Sequence, residues 1–180
     1  FATEHFFAKY EFITPHQLCN SDCETTTVGE LLQMAGVEMA EFADLSLGYT
    51  ESAGNPALRA ALAGGYETAV PDDILVLGTP VEGIYLAARA ILNPGDEVVV
   101  LTPAYDALIN MFAHIVGPDN VRYWPLQTAE KRWTLDFDQL PDLLTPLTKL
   151  VVVNFPHNPT GFLPSPQELD QLISTIEGHG

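Results

Sequence analysis

Short, unbroken apolar runs recur along this chain, each followed by a longer stretch with helical spacing. Runs at residues 74–77, 97–101 and 150–154 are mostly apolar at successive positions instead of alternating, and residues 121–125 form a further short run broken by Arg122. That pattern predicts strands of a parallel sheet covered on both faces. The stretches after them, at residues 82–92, 106–116, 137–144 and 167–176, have apolar residues three and four apart and predict helices, the third of them reached through a loop. The chain therefore reads as repeated β-then-α units, an α/β fold built as a three-layer sandwich around a mainly parallel sheet.

Helix-start signals sharpen these boundaries. Thr27-Val28-Gly29-Glu30 and Ser165-Pro166-Gln167-Glu168 have the capping-box spacing, the second with Pro at the first helical position. Asn55-Pro56 predicts a helix over residues 57–63, ended by Gly64-Gly65. Residues 1–44 carry the weakest pattern, with one short helix expected to run from the Thr27 cap to Ala35. The expected organisation is an N-terminal segment over 1–44 and a main domain over 45–180. No internal repeat or long linker interrupts it.

Composition narrows the function classes. Of 180 residues, 47% are hydrophobic, enough for a domain with a real core. No apolar run approaches the ~20 residues of a membrane helix. The net charge of −17, from 24 acidic and 7 basic residues, disfavours nucleic acid and anionic membranes as partners. Cys19 and Cys23 with His16 spell H-x2-C-x3-C, which matches no common structural metal site. The expectation is reduced cytoplasmic thiols and no metal. The chain opens on Phe1, without a signal-peptide pattern, and reads as trimmed at its start.

The densest chemistry lies after the last strand, in Asn154-Phe155-Pro156-His157-Asn158-Pro159-Thr160-Gly161. A strand, a tight polar loop and a helix follow one another here, and ligands of open α/β sheets bind at such carboxyl ends. Two prolines and a glycine constrain the loop, and Asn158 stands between the prolines. A rigid loop presenting one amide suits hydrogen bonding to a ligand oxygen.

This loop resembles the cofactor loop of fold-type I pyridoxal-phosphate enzymes, the aspartate aminotransferase-like superfamily. Three further stretches agree with it in order: Tyr49-x4-Gly54 followed by Leu58-Arg59; Gly78-Thr79-Pro80-Val81-Glu82-Gly83; and Asn93-Pro94-Gly95-Asp96-Glu97 followed by Pro103-Ala104-Tyr105. The resemblance runs from about Leu45 to the end of the chain. It implies the N-terminal part of the large domain of a pyridoxal 5'-phosphate-dependent transferase. The implied enzyme is a cytoplasmic, homodimeric and biosynthetic aminotransferase that takes amino-acid and 2-oxo-acid substrates.

The resemblance also assigns roles. Asn158 would donate its amide N–H to the phenolic oxygen of the cofactor, and Tyr105 would stack on its ring. Thr79, Pro80 and Val81 fall in the phosphate loop. The family usually shows Gly-Ser/Ala-x-Glu-Ala there; with Pro80, which has no N–H, the donors reduce to the Val81 and Glu82 amides and the Thr79 hydroxyl. Tyr49 matches a tyrosine that reaches the phosphate held by the neighbouring subunit. His157 either packs beside the ring or occupies the loop, and Asn154 ties the loop together. Arg59 is expected to make a structural ion pair on its own helix, and Asn93 to Asp96 to form a turn.

No catalytic residue is expected in this chain. The family's Schiff-base lysine would lie downstream, and none of Lys9, Lys131 and Lys149 has a desolvated, cofactor-facing place. The chain is thus expected to be an N-terminal portion that is inactive alone. Alternatives on the same fold are a lyase, cyclase or decarboxylase, or a non-catalytic binding module.

Overall fold

A computed structural model describes residues 1–179. The chain packs as two units, one formed by Phe1–Ser21 with the segment from Pro80 onward, the other by Asp22–Thr79. Neither junction coincides with the expected boundary at residue 44.

The helix α1 (Ala2–Tyr10) opens the first unit. After Pro80 follow α5 (Pro80–Ile91), β1 (Glu97–Thr102), α6 (Ala107–Val116), β2 (Val121–Pro125), β3 (Gln127–Ala129), β4 (Arg132–Thr134), α7 (Leu140–Leu143), β5 (Thr148–Val152) and α8 (Pro166–His179). In the second unit lie α2 (Val28–Ala35), α3 (Met39–Ala43) and α4 (Pro56–Ala63).

The sheet has the order β2-β1-β5, all parallel. Val98 pairs with Val121 on one side and Leu150 on the other, and Val100 with Tyr123 and Val152. Both faces of β1 are covered, which explains its unbroken apolar run. Val98 and Val100 join Ala88 and Leu92 of α5 and Phe112, Ile115 and Val116 of α6. Val99 and Leu101 point the other way, to Trp124, Leu140 of α7 and Leu172 of α8. Helices thus flank the sheet on both sides, the expected three layers. The Trp124 indole satisfies its N–H on the Asp136 carbonyl at 2.9 Å and meets Phe137 edge-on at 5.5 Å between centroids.

The helix caps follow the sequence signals. Thr27 and Glu30 form a reciprocal capping box, as do Ser165 and Glu168. Asn55 Oδ1 accepts from the amides of Ala57 and Leu58.

Three features depart from expectation. Residues 74–77 form no strand and join no ladder among the described residues; the Val76 amide donates instead to the Ala53 carbonyl at 2.9 Å. Apolar composition gives these residues an extended backbone, but a strand exists only with a hydrogen-bonded neighbour. The loop expected after β2 contains the β3–β4 hairpin. Its turn residues Glu130 and Lys131 have φ of 49° and 67°, a left-handed turn without the usual Asn-Gly signal. Finally, α1 and α3 arise where no pattern announced them.

In the second unit, Arg59 does make a structural pair, with a partner off its own helix. Its Nη2 lies 3.1 Å from Asp72 Oδ1 and its Nε donates to the Ile74 carbonyl at 2.9 Å. Gly54 shows why Tyr49-x4-Gly54 ends in glycine. Its φ is 109°, and a Cβ there would stand 2.5 Å from Val76 Cγ2.

Candidate active site

Adjacent parallel strands end at the same sheet edge, so the segments after β1 and β5 emerge side by side. Beyond β1 come Pro103, Ala104, Tyr105 and Asp106; beyond β5 comes the loop from Asn154 to Gly161. The helix α5 reaches this edge from the other direction. It packs on β1 and joins it through a short turn at Asn93–Asp96, so it runs antiparallel to the strand. Twelve helical residues span about 18 Å and six strand residues about 20 Å. The first turn of α5 therefore stands near the carboxyl end of β1. Pro80 is its first residue, Val81 its second, and Glu82 lies in the same turn. Thr79 immediately precedes it.

The loop after β5 closes on itself. The Gly161 amide donates to the His157 carbonyl at 2.7 Å, and the His157 amide to the Phe162 carbonyl at 2.8 Å. Thr160 Oγ1 accepts from the Phe162 amide at 3.2 Å and lies 2.8 Å from His157 Nδ1. Gly161 takes the left-handed conformation this turn needs, with φ of 72°. Phe155 and Phe162 flank the loop, meet edge-on at 6.1 Å, and pack on the Trp124 side of the core. The peptide bonds before Pro156 and Pro159 are cis. The ties across the loop thus come from His157, Thr160, Gly161 and Phe162, whereas Asn154 sits half-buried two residues past β5.

His157 is 2% exposed, and burial holds its imidazole below the usual range. The Pro103 carbonyl on the neighbouring strand end acts in the opposite sense. Among the described residues Nε2 completes no hydrogen bond at ordinary geometry; buried beside Pro103, His157 is a strut between the two strand ends. With the Thr160 hydroxyl donating to Nδ1, the ring proton falls on Nε2, towards Pro103, which is the most satisfied neutral arrangement.

Above this strut the loop presents Asn158. Its side chain is exposed, and Nδ2 donates to Ser21 Oγ at 3.2 Å. Tyr105 is half-buried at the head of α6, and its hydroxyl donates to Glu4 Oε1 at 2.5 Å. That bond, then burial, then the charges of Glu4 and Asp106 push the Tyr105 phenol up to about 12. Asp106 holds the N-cap position of α6 without capping it; its Oδ2 accepts instead from the Thr3 amide of α1 at 3.1 Å.

The first unit therefore brings Tyr105, Asn154, His157 and Asn158 to one sheet edge, with Pro80 and Val81 opening the helix beside it. Tyr49 belongs to the second unit, where its side chain is fully exposed. Sequence reasoning gave no role to Thr160, although it was quoted in the motif, and missed Glu4, Asp106 and Ser21. Only Thr160 carried a signal; Glu4 and Tyr105 lie 101 residues apart, beyond any periodicity.

The lysines stand apart from this edge. Lys9 lies on α1 with its Nζ over the Tyr10 ring, Lys131 forms the hairpin turn, and Lys149 is exposed near the amino end of β5. Among the described residues no group of three His, Cys, Asp or Glu side chains is placed to hold a metal ion, and no helix is long and apolar enough to cross a membrane.

Comparison with known proteins gives a consistent result. The sequence profile of "Aminotransferase class I and II" matches residues 22–180. A capreomycidine synthase from Streptomyces vinaceus is 34% identical over 175 residues, 96% of this chain and 44% of the relative. An aspartate aminotransferase from Sulfolobus acidocaldarius is 34% identical over 132 residues, 69% of this chain and 32% of the relative. Among solved structures, a PLP-dependent aminotransferase from Streptococcus suis shares the fold, with a TM-score of 0.91 at 24% identity over 100% of this chain and 48% of its own. The PLP-dependent cyclase OrfR matches with a TM-score of 0.85 at 29% identity over 98% of this chain and 46% of its own. The chain thus spans less than half the length of these relatives. It belongs to the class I and II aminotransferase family, fold-type I enzymes whose cofactor is pyridoxal phosphate.

Proposed function

We propose that this chain forms the cofactor-holding part of an aminotransferase that moves an amino group between an amino acid and a 2-oxo acid. The observation that carries this reading is the placement of Asn158 and Tyr105 on adjacent strand ends of one sheet edge, with a helix N-terminus beside them.

The donor set fits pyridoxal phosphate. The molecule needs a partner for a phenolic oxygen, a ring platform and an anion cradle. Bound there, it acts as an electron sink for the bond that breaks at the substrate Cα. Asn158 supplies an amide N–H from a loop that is already rigid. Tyr105 supplies an aromatic face. The first turn of α5 offers backbone N–H groups and the positive end of its dipole to the phosphate, with Val81 as a donor, the Thr79 hydroxyl at the rim and Pro80 setting the backbone. Buried and neutral, His157 keeps the loop seated, and Asn154 lies at its base.

The rest of the reading extends beyond these residues. Tyr49 reaches the phosphate held by the partner subunit of a homodimer, which suits its full exposure. Residues 1–44 serve as a small-domain or dimer-contact arm, and 45–180 as part of the large domain. The proton-shuttling lysine lies in the remainder of the protein, so residues 1–180 alone are inactive. The enzyme is cytoplasmic and biosynthetic. The test is to purify residues 1–180 and the full-length protein, add pyridoxal phosphate, and follow absorbance before and after borohydride. The full-length protein should show one reducible lysine adduct and transaminate an amino acid. A single modified lysine with turnover in residues 1–180 would overturn the fragment reading.

A second reading keeps the cofactor and changes the reaction to a cyclisation. It is favoured by the PLP-dependent cyclase OrfR, whose structure matches over 98% of this chain at 29% identity, N-terminal arm included. Product analysis decides between them: a ring-closed product without consumption of a 2-oxo acid supports the cyclase, and 2-oxo-acid-dependent amino transfer supports the aminotransferase.

A further inference from the structure

We propose that Glu4 is a positioning residue of the cofactor site, holding the Tyr105 ring at the sheet edge from the first turn of α1. The inference rests on the reading of Tyr105 as the ring platform and extends it to a residue 101 positions away.

The geometry is a double stitch. Consecutive residues of α1 bond consecutive residues of the corner between β1 and α6. The Tyr105 hydroxyl donates to Glu4 Oε1 at 2.5 Å, and the Thr3 amide donates to Asp106 Oδ2 at 3.1 Å. Asp106 thereby caps α1 and leaves α6 without a side-chain cap. A carboxylate at the first turn of α1 also opposes the helix dipole favourably.

A tyrosine at a strand end has a single polar atom, so its ring orientation is open unless that atom is held. The phenol–carboxylate bond is charge-assisted and holds the far end of the side chain, which limits its swing about χ1 and keeps the ring at the sheet edge. The same bond keeps the phenol protonated well above the ordinary range. Glu4 therefore acts on Tyr105 by holding its hydroxyl end, and the raised titration of the phenol is the signature of that bond.

The experiment uses full-length protein labelled with fluorotyrosine, which titrates lower than tyrosine and keeps the measurement within the folded range. The fluorine signal lost in Tyr105→Phe reports Tyr105. In Glu4→Gln the midpoint of that signal should fall, and Glu4→Asp should restore part of the shift. Pyridoxal phosphate should bind about two- to tenfold more weakly to Glu4→Gln, the value of one positioned aromatic contact. The circular dichroism of the bound cofactor should shrink. In a Tyr105→Ala background, Glu4→Gln should add no further loss. An unmoved midpoint, or an undiminished affinity loss from Glu4→Gln in that background, overturns the role of Glu4 and leaves the platform standing. A moved midpoint with cofactor binding indifferent to both Tyr105→Ala and Glu4→Gln overturns the platform itself, and this inference with it.

Discussion

His157 and Thr160 hold each other inside a single turn of the loop, Nδ1 to Oγ1 at 2.8 Å, with the imidazole 2% exposed. Among the described residues the hydroxyl is the one polar partner the ring has at ordinary geometry, and it also accepts the Phe162 amide.

Thr160→Val keeps the shape and removes both bonds. Leaving buried donors or acceptors unmatched costs about 1–3 kcal/mol. Equilibrium unfolding in denaturant should show a loss in that range, and Thr160→Ser should recover most of it. A Thr160→Val protein as stable as wild type would show that the ring needs no partner.

The same burial sets a pH dependence. The His157 pKa is lower in the folded protein than its ordinary 6.5. Near and below 6.5 the unfolded chain thus binds the extra proton more readily, and stability rises with pH through this window. The contribution is fully present above about 6.5 and fades as pH falls towards the folded value. His157→Gln should flatten the dependence of the unfolding midpoint on pH between roughly 7 and 5. A slope unchanged by His157→Gln would assign it to other groups.

Much of this arrangement was legible in the residues. Unbroken valines predicted a strand covered on both faces, and β1 is one. Pro, Gly and cap residues located α4, α5 and α8 to within about three residues of their observed ends. The turn after β5 could be read because it is set locally, by His157, Thr160, Gly161 and Phe162. Contacts over long sequence distances were not legible. Glu4 with Tyr105, Thr3 with Asp106 and Ser21 with Asn158 join residues more than 100 positions apart, and α1 carries only a weak amphipathic pattern. The expected strand at residues 74–77 failed for a related reason: composition specifies an extended backbone, but the partner that makes it a strand is a tertiary fact.

Glu97 illustrates a residue that the turn motif hid. It follows Asn93-Pro94-Gly95-Asp96 and anchors the opposite end of the sheet. Arg122 Nε donates to it at 2.7 Å, Arg122 Nη2 at 3.0 Å and Thr145 Oγ1 at 2.7 Å. The Arg122 bonds, helped by Thr145, hold its carboxyl below the usual carboxylate range. A depressed carboxylate contributes stability above its unfolded pKa near 4.5, and the contribution is lost as pH falls through the folded value. Glu97→Gln should cost about 1–2 kcal/mol at neutral pH, at the low end for a charged pair because the Arg122 side chain stays 39% exposed. The cost should vanish in acid. A constant cost from neutral to acid pH would assign the loss to packing.

Gly54→Ala tests the second unit by itself. The new Cβ would meet Val76 Cβ at 2.6 Å in a backbone with φ of 109°. Both the clash and the conformation disfavour alanine, and together they should destabilise by about 2–4 kcal/mol. Val76→Gly removes both Cγ2 and Cβ, so it relieves only the clash and should restore part of the loss in the double variant. Additive losses in Gly54→Ala, Val76→Gly and their combination would show that the two residues do not meet.

Asn158→Ala should weaken the cofactor without weakening the fold. The side chain is exposed, its bond among the described residues runs to Ser21 at 3.2 Å, and the loop is held by His157, Thr160 and Gly161. Removing it should therefore leave the apo melting temperature almost unchanged. A hydrogen bond to a charged group is worth about 1.5–3 kcal/mol, so pyridoxal phosphate affinity in the full-length protein should fall by about 10- to 150-fold. The lost donor also favours the protonated form of the phenolic oxygen, which should move the pH midpoint of the bound cofactor's visible absorbance by the order of one unit. Ser21→Ala is the paired control. It removes the partner that Asn158 Nδ2 must give up and should leave affinity equal or slightly higher. Equal cofactor affinity and an unshifted absorbance midpoint in Asn158→Ala would make Asn158 a turn residue only, and the assignment of this loop to the cofactor would fall.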